Sequence, residues 1–178
     1  MTRLLVALVA AAGMAVVAAR ASLLQSPPPG VQLRATAHCS SIIEVSPAPQ
    51  PGGNEEVLWR RVAVPRYGSV VRPPRLPGRR SLPYWWKAGL LMHRGRSAVD
   101  LAVPAAWRGR EAIGWGDAGP ASSIRVLGCG WSGADDWLPY AGGFTLRAPA
   151  CVPLIVRNKG RSTTIWLPLG RRCPPRGS

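Results

Sequence analysis

One phenylalanine, two histidines and only 8 acidic residues against 23 basic ones make this 178-residue chain poor in the groups that most enzymes use. His38 and His93 each fall on the polar side of a strand-like run, where a histidine faces solvent. A Ser/His/Asp set drawn from one of them, Asp100 or Asp117, and a serine has no G-x-S-x-G elbow to support it. The chain lacks C-x-x-C spacing, which removes the usual zinc patterns. The adjacent carboxylates Glu55-Glu56 and Asp135-Asp136 point apart if extended, and too few oxygen ligands surround the second pair for calcium. No catalytic residue, metal or cofactor is therefore expected. Past residue 24 there is no long apolar run, no amphipathic helix and no internal repeat.

The long apolar run is at the N-terminus. Arg3 precedes sixteen residues, Leu4 to Ala19, that carry neither charge nor proline, and Ala19-Arg20-Ala21 offers small residues where a signal peptidase reads. Sixteen is just short of a comfortable membrane span, and Arg20 opposes stable anchoring. Residues 1–21 are accordingly expected to be a signal peptide, with an uncleaved anchor as the alternative, which puts the protein outside the cell or on the outer face of the cytoplasmic membrane. No cysteine stands near the cleavage region, so a lipoprotein is not expected.

Removal of that segment leaves about 157 residues, one domain with a real core. Residues 22–30 include a stiff Ser-Pro-Pro-Pro-Gly spacer, residues 31–173 form the domain, and 174–178 are a disordered tail. Nineteen prolines and twenty glycines punctuate short apolar runs. Alternation marks strands at Val31 to His38, Val57 to Val64, Ser123 to Leu127, Gly143 to Arg147, Val152 to Val156 and Thr163 to Leu169. Lys87 to His93 and Ala98 to Val103 read as a hairpin turning at Arg94-Gly95-Arg96-Ser97. About eight strands without a helix predict an all-β fold, an antiparallel two-sheet sandwich of immunoglobulin-like or related type, with a partly open barrel as the alternative.

Cys39, Cys129, Cys151 and Cys173 are an even number in a chain expected to be exported, which favours two disulfides. Three pairings are possible. The preferred one joins Cys129 to Cys151, clamping adjacent strands, and Cys39 to Cys173, tying the first strand to the tail.

Eight tryptophans are many for this length. Trp107, Trp115, Trp131 and Trp137, with Tyr140, fall in Gly-rich loops, where exposed rings stack on sugars, whereas Trp59, Trp86 and Trp166 fall in strands and should pack. The first five are the candidate ligand-binding set, and a loop-anchoring role is the plainer reading of them. The net charge is +15, about +13 once the leader is removed. Arg72, Arg75, Arg79 and Arg80 sit in a proline-rich loop suited to touching an anionic surface, and Arg94, Arg96, Arg171, Arg172 and Arg176 add to the field. Outside a bacterial membrane the polyanions are lipid head groups and wall polymers, and glycan is a further partner. No nucleic-acid-binding motif accompanies the charge, and no protein partner is indicated.

The stretches Trp86-Lys87-Ala88, Val99 to Pro104, Ile113-Gly114-Trp115-Gly116, Ile124 to Cys129, Tyr140 to Phe144 (YAGGF), Cys151-Val152-Pro153-Leu154 and Gly170 to Cys173 together resemble a family of uncharacterised exported proteins from high-G+C bacteria. The resemblance covers about residues 85–173 and rests mainly on YAGGF and the cysteine that follows it. It implies a signal or anchor and a small extracellular β domain. It brings no catalytic residue and no ligand. The expectation is a non-enzymatic envelope protein with an interaction or structural role, against a carbohydrate-binding module or a secreted hydrolase.

Overall fold

The computed structural model describes residues 26–43, 48–49, 53, 55–130 and 136–175. The expected signal segment 1–21 lies outside the described residues, as do Trp131, Asp135 and Arg176.

The described chain is all-β, with thirteen strands in three sheets. The largest runs in the order β1 (Ala35–Ala37), β9 (Ser123–Val126), β6 (Val99–Ala102), β12 (Ala150–Asn158), β13 (Arg161–Leu169). A second runs β10 (Trp137–Tyr140), β5 (Leu90–His93), β3 (Val62–Pro65), β2 (Glu55–Leu58). The third runs β4 (Tyr84–Lys87), β11 (Gly142–Leu146), β7 (Glu111–Trp115), β8 (Ala118–Ala121). Hydrogen bonding thus makes three sheets where two were expected, and the β1–β9 ladder is parallel.

Alternation explains the large sheet. Val99 and Leu101 of β6, Ile124 and Val126 of β9, Val152, Leu154 and Val156 of β12, and Ile165, Leu167 and Leu169 of β13 all turn inward and are buried. They join one apolar cluster with Val62, Val64, Leu90 and Met92 of the second sheet and Ile113, Trp115, Phe144 and Leu146 of the third.

Two expected elements break in ways periodicity could not reveal. The run Val57 to Val64 is two strands, because Trp59 and Arg60 both take positive φ (51° and 53°) and reverse the chain. Neither residue is among the usual formers of such a turn. The expected hairpin between residues 87–93 and 98–103 does not form either. β5 pairs with β3 and β10, whereas β6 pairs with β9 and β12, so residues 94–98 cross between sheets.

The disulfides are Cys39–Cys129 and Cys151–Cys173, which corrects the expected Cys129–Cys151 and Cys39–Cys173 pairs. The parallel ladder supplies the reason. With Ala37 opposite Val126 and both strands running the same way, Cys39 and Cys129 leave their strands side by side, Cα atoms 5.8 Å apart. At the other end Cys151 opposes Pro168, and the chain turns at Gly170 to return Cys173 to within 5.0 Å of Cys151. Gly170 has φ 106°, and a side chain there would strike Pro149.

The YAGGF motif has a backbone explanation. β11 is the central strand between β4 and β7, and a Cβ on Gly142 would lie 2.0 Å from the Gly114 carbonyl oxygen. One on Gly143 would lie 1.9 Å from that of Trp86, at φ 154°. The motif permits close strand approach.

Candidate functional site

Of the five residues of the expected aromatic platform, Trp115, Trp137 and Tyr140 are buried, Trp107 is half-buried, and Trp131 lies outside the described residues. Trp115 is fully buried on β7, its indole N–H donating to the Ala88 carbonyl (2.9 Å) and its ring edge-on to Phe144 at 5.4 Å. Tyr140 is also fully buried, with its hydroxyl 3.2 Å from the Cys129 sulfur. Trp137 is buried on β10, its ring edge-on to His93. Trp107 packs against the core and lies under the Arg110 guanidinium, 5.8 Å from the ring centroid. Trp115, Trp137 and Tyr140 are buried because the Gly-rich segments around them are the strands β7, β10 and β11. Buried faces cannot stack on a sugar.

Among the described residues the exposed tryptophan is Trp166, expected to pack and instead 41% accessible. On β13 the inward set is Ile165, Leu167 and Leu169, so Trp166 stands on the opposite face, flanked along the strand by exposed Thr164 and buried Pro168. The proline-rich segment after β3 is not free. Val71 donates its N–H to the Pro168 carbonyl (3.0 Å) and pairs with Leu169, which lays residues 66–70 beside Trp166. The Cys151–Cys173 bridge brings Arg172 to the same place. The result is a groove of about 670 Å³ lined by Arg66, Tyr67, Val70, Trp166 and Arg172 among others.

Tyr67 is held in position. Its hydroxyl accepts the Trp86 indole N–H at 2.8 Å and its ring meets Trp86 edge-on at 5.9 Å. Burial pushes the phenol's pKa above its ordinary value, opposed by the Trp86 bond and assisted by Glu55, so the group stays protonated and keeps a donor. An aromatic face, a neutral phenol and two guanidinium groups together suit a ring-bearing anion.

Arg72, Arg75, Arg79 and Arg80 are all exposed, and none forms an ion pair among the described residues. The loop that carries them is fixed by backbone bonds from Leu76 N–H to Pro83 and from Trp85 N–H to Pro74.

His38 is the histidine with a carboxylate. Its ring Nδ1 donates to Asp117 Oδ2 at 2.8 Å and its backbone N–H to Oδ1 at 2.9 Å. Those two bonds hold the Asp117 pKa below its ordinary value. Asp117 thereby orients the imidazole as the acid of a catalytic triad does. The nearby Ser41 hydroxyl, however, donates to the His38 carbonyl at 2.7 Å and not to the ring. His93 contacts the Arg94 carbonyl and the Trp137 ring. Asp136 pairs with Arg94 at 2.7 Å. Among the described residues no three His, Cys, Asp or Glu side chains gather as metal ligands, and no helix is long and apolar enough to cross a membrane.

Sequence reasoning missed Arg66 and Tyr67, expected Trp166 to pack and read Arg172 only as part of the general basic field, because the groove joins two segments, 66–70 and 166–174, that only the folded chain brings together. The exposed parity of Trp166 was readable, since it falls between Ile165 and Leu167. Comparison of the chain with protein-family models, with curated proteins and with solved structures finds no match in any of the three.

Proposed function

We propose that this is an exported, non-enzymatic binding domain that holds an acidic glycan of the cell envelope in the Arg66–Tyr67–Trp166–Arg172 groove. The observation that carries the reading is the exposed Trp166 ring in one groove with two arginines. A sugar ring lies on the indole, and its carboxylate or sulfate meets a guanidinium. This moves the glycan reading from the loop tryptophans to one strand tryptophan.

Export is part of the same proposal, with residues 1–21 as the signal and the resemblance to exported proteins of high-G+C bacteria in support. Two disulfides are consistent with an oxidising compartment. A sandwich-like packing of the sheets is the accompanying architectural reading, supported by the single core cluster drawn from all three.

Titration of the oxidised protein with an oligouronate, followed by tryptophan fluorescence and calorimetry, tests the reading. Trp166→Ala should weaken binding about ten-fold or more, and Arg66→Ala with Arg172→Ala should abolish the preference for acidic over neutral oligosaccharide. Binding that is indifferent to Trp166→Ala would sink the proposal.

A further inference from the structure

A second cavity, which shares no residue with the Trp166 groove, is lined by two residues that carry buried, unpartnered polar atoms. It has a volume of about 240 Å³ and is lined by Arg34, Arg108, Ser122, Ser123 and Arg157 with apolar neighbours. Ser122 is 2% exposed, and its backbone is pinned on both sides, N–H to the Gln32 carbonyl (2.8 Å) and carbonyl from the Val103 N–H (2.9 Å). Its hydroxyl nevertheless has no hydrogen-bond partner, and neither does the buried Nε–H of Arg108. Buried donors are rarely left unmet, because each loses its water without replacement. Ser123 does not compensate, since its own hydroxyl donates to the Leu33 carbonyl at 3.1 Å.

We propose that this cavity binds a phosphate group. Ser122 and Arg108 of the lining carry two buried donors that a small side-chain rotation would turn to a bound anion, and the exposed Arg34 and Arg157 bring positive charge to the same cavity. A carboxylate has two oxygens to offer such a set, whereas a phosphate presents more acceptors in a tetrahedral arrangement. The volume lies below the ~300 Å³ at which sites for whole small molecules begin, so the cavity suits a single group. An adjoining cavity of about 370 Å³ shares Arg34, Ser123 and Arg157 and adds Arg125, with Asp100 as its one acid, 3.7 Å from Arg125. It gives the remainder of a phosphate ester a path along the large sheet.

The phosphate could be a free ion or a diester of an envelope polymer, and two probes separate these sources. Phosphorus NMR titrations of the oxidised full chain would use inorganic phosphate in one arm and poly(glycerol phosphate) in the other. Saturable binding is expected in at least one arm, and the tighter arm identifies the source. Ser122→Ala, which removes an unsatisfied hydroxyl and leaves the fold intact, should weaken it about ten-fold or more, as should Arg108→Gln. Trp166→Ala should leave it unchanged, which keeps this site separable from the glycan groove. The proposal is overturned by lack of saturation in both arms, by binding indifferent to Ser122→Ala, or by equal displacement with polyglutamate of the same charge.

Discussion

Glu111 is a carboxylic acid placed where nothing solvates it. It opens β7 on the same face as Ile113 and Trp115, is fully buried, and both carboxylate oxygens are unpartnered. Desolvation pushes its pKa well above the ordinary carboxyl value. The folded state therefore binds this proton more tightly than the unfolded chain does. Its contribution is fully present below the unfolded carboxyl pKa and is lost as pH rises toward the folded value, with a limiting slope of about 1.4 kcal/mol per pH unit. Urea unfolding between pH 4 and 8 should show a stability decline with rising pH that Glu111→Gln removes. Equal pH profiles for the two proteins would refute the argument. Arg61 is half-buried and of the opposite, satisfied kind. Its guanidinium donates to the carbonyls of His93, Arg94, Gly95 and Ser97. The fork geometry is arginine's alone, so Arg61→Lys should lower stability by about 2 kcal/mol or more, read as a fall in the urea midpoint at unchanged slope.

Among the elements, the crossing between β5 and β6 shows why local pattern misled. The Arg94 to Ser97 turn looks like a hairpin turn, but Arg61 grips its carbonyls and Gly128 lies against it so closely that a Cβ would sit 2.4 Å from the Gly95 oxygen. Both contacts come from distant segments, so no window around the turn contains the information. The disulfides follow from the same elements. Non-reducing peptide mapping should recover Cys39–Cys129 and Cys151–Cys173 peptides; a Cys129–Cys151 peptide would contradict the parallel β1–β9 ladder. In the chain-entropy model, the bridge spanning 90 residues contributes about 4 to 5 kcal/mol and the one spanning 22 about 3 kcal/mol. Cys39→Ser with Cys129→Ser should therefore lower the urea-derived stability more than Cys151→Ser with Cys173→Ser.

The whole molecule is dominated by charge, +15 over 178 residues. The exposed Arg72, Arg75, Arg79 and Arg80 and the arginines at both cavities carry that field to the surface. The protein should sediment with envelope fractions at low ionic strength and be released as salt shortens the screening length, because surface charges separated by more than about 8 Å cease to act together near physiological ionic strength. Retention that is indifferent to salt would contradict a charge-driven hold.

The sequence by itself determined the β class, the strands of the large sheet and the charge, because strand alternation and net charge are local or additive properties. Val99, Leu101, Ile124, Val126, Ile165 and Leu167 all stand on the buried side that their spacing dictates. Only the tertiary structure decided that Cys39 meets Cys129, that residues 66–70 lie beside Trp166, and which arginines share a cavity. Each of those depends on pairing strands far apart in the chain: β1 with β9, the proline-rich segment with β13, and β6 with both β9 and β12. Such pairings are set by the packing of one common core, and no stretch of sequence contains both partners.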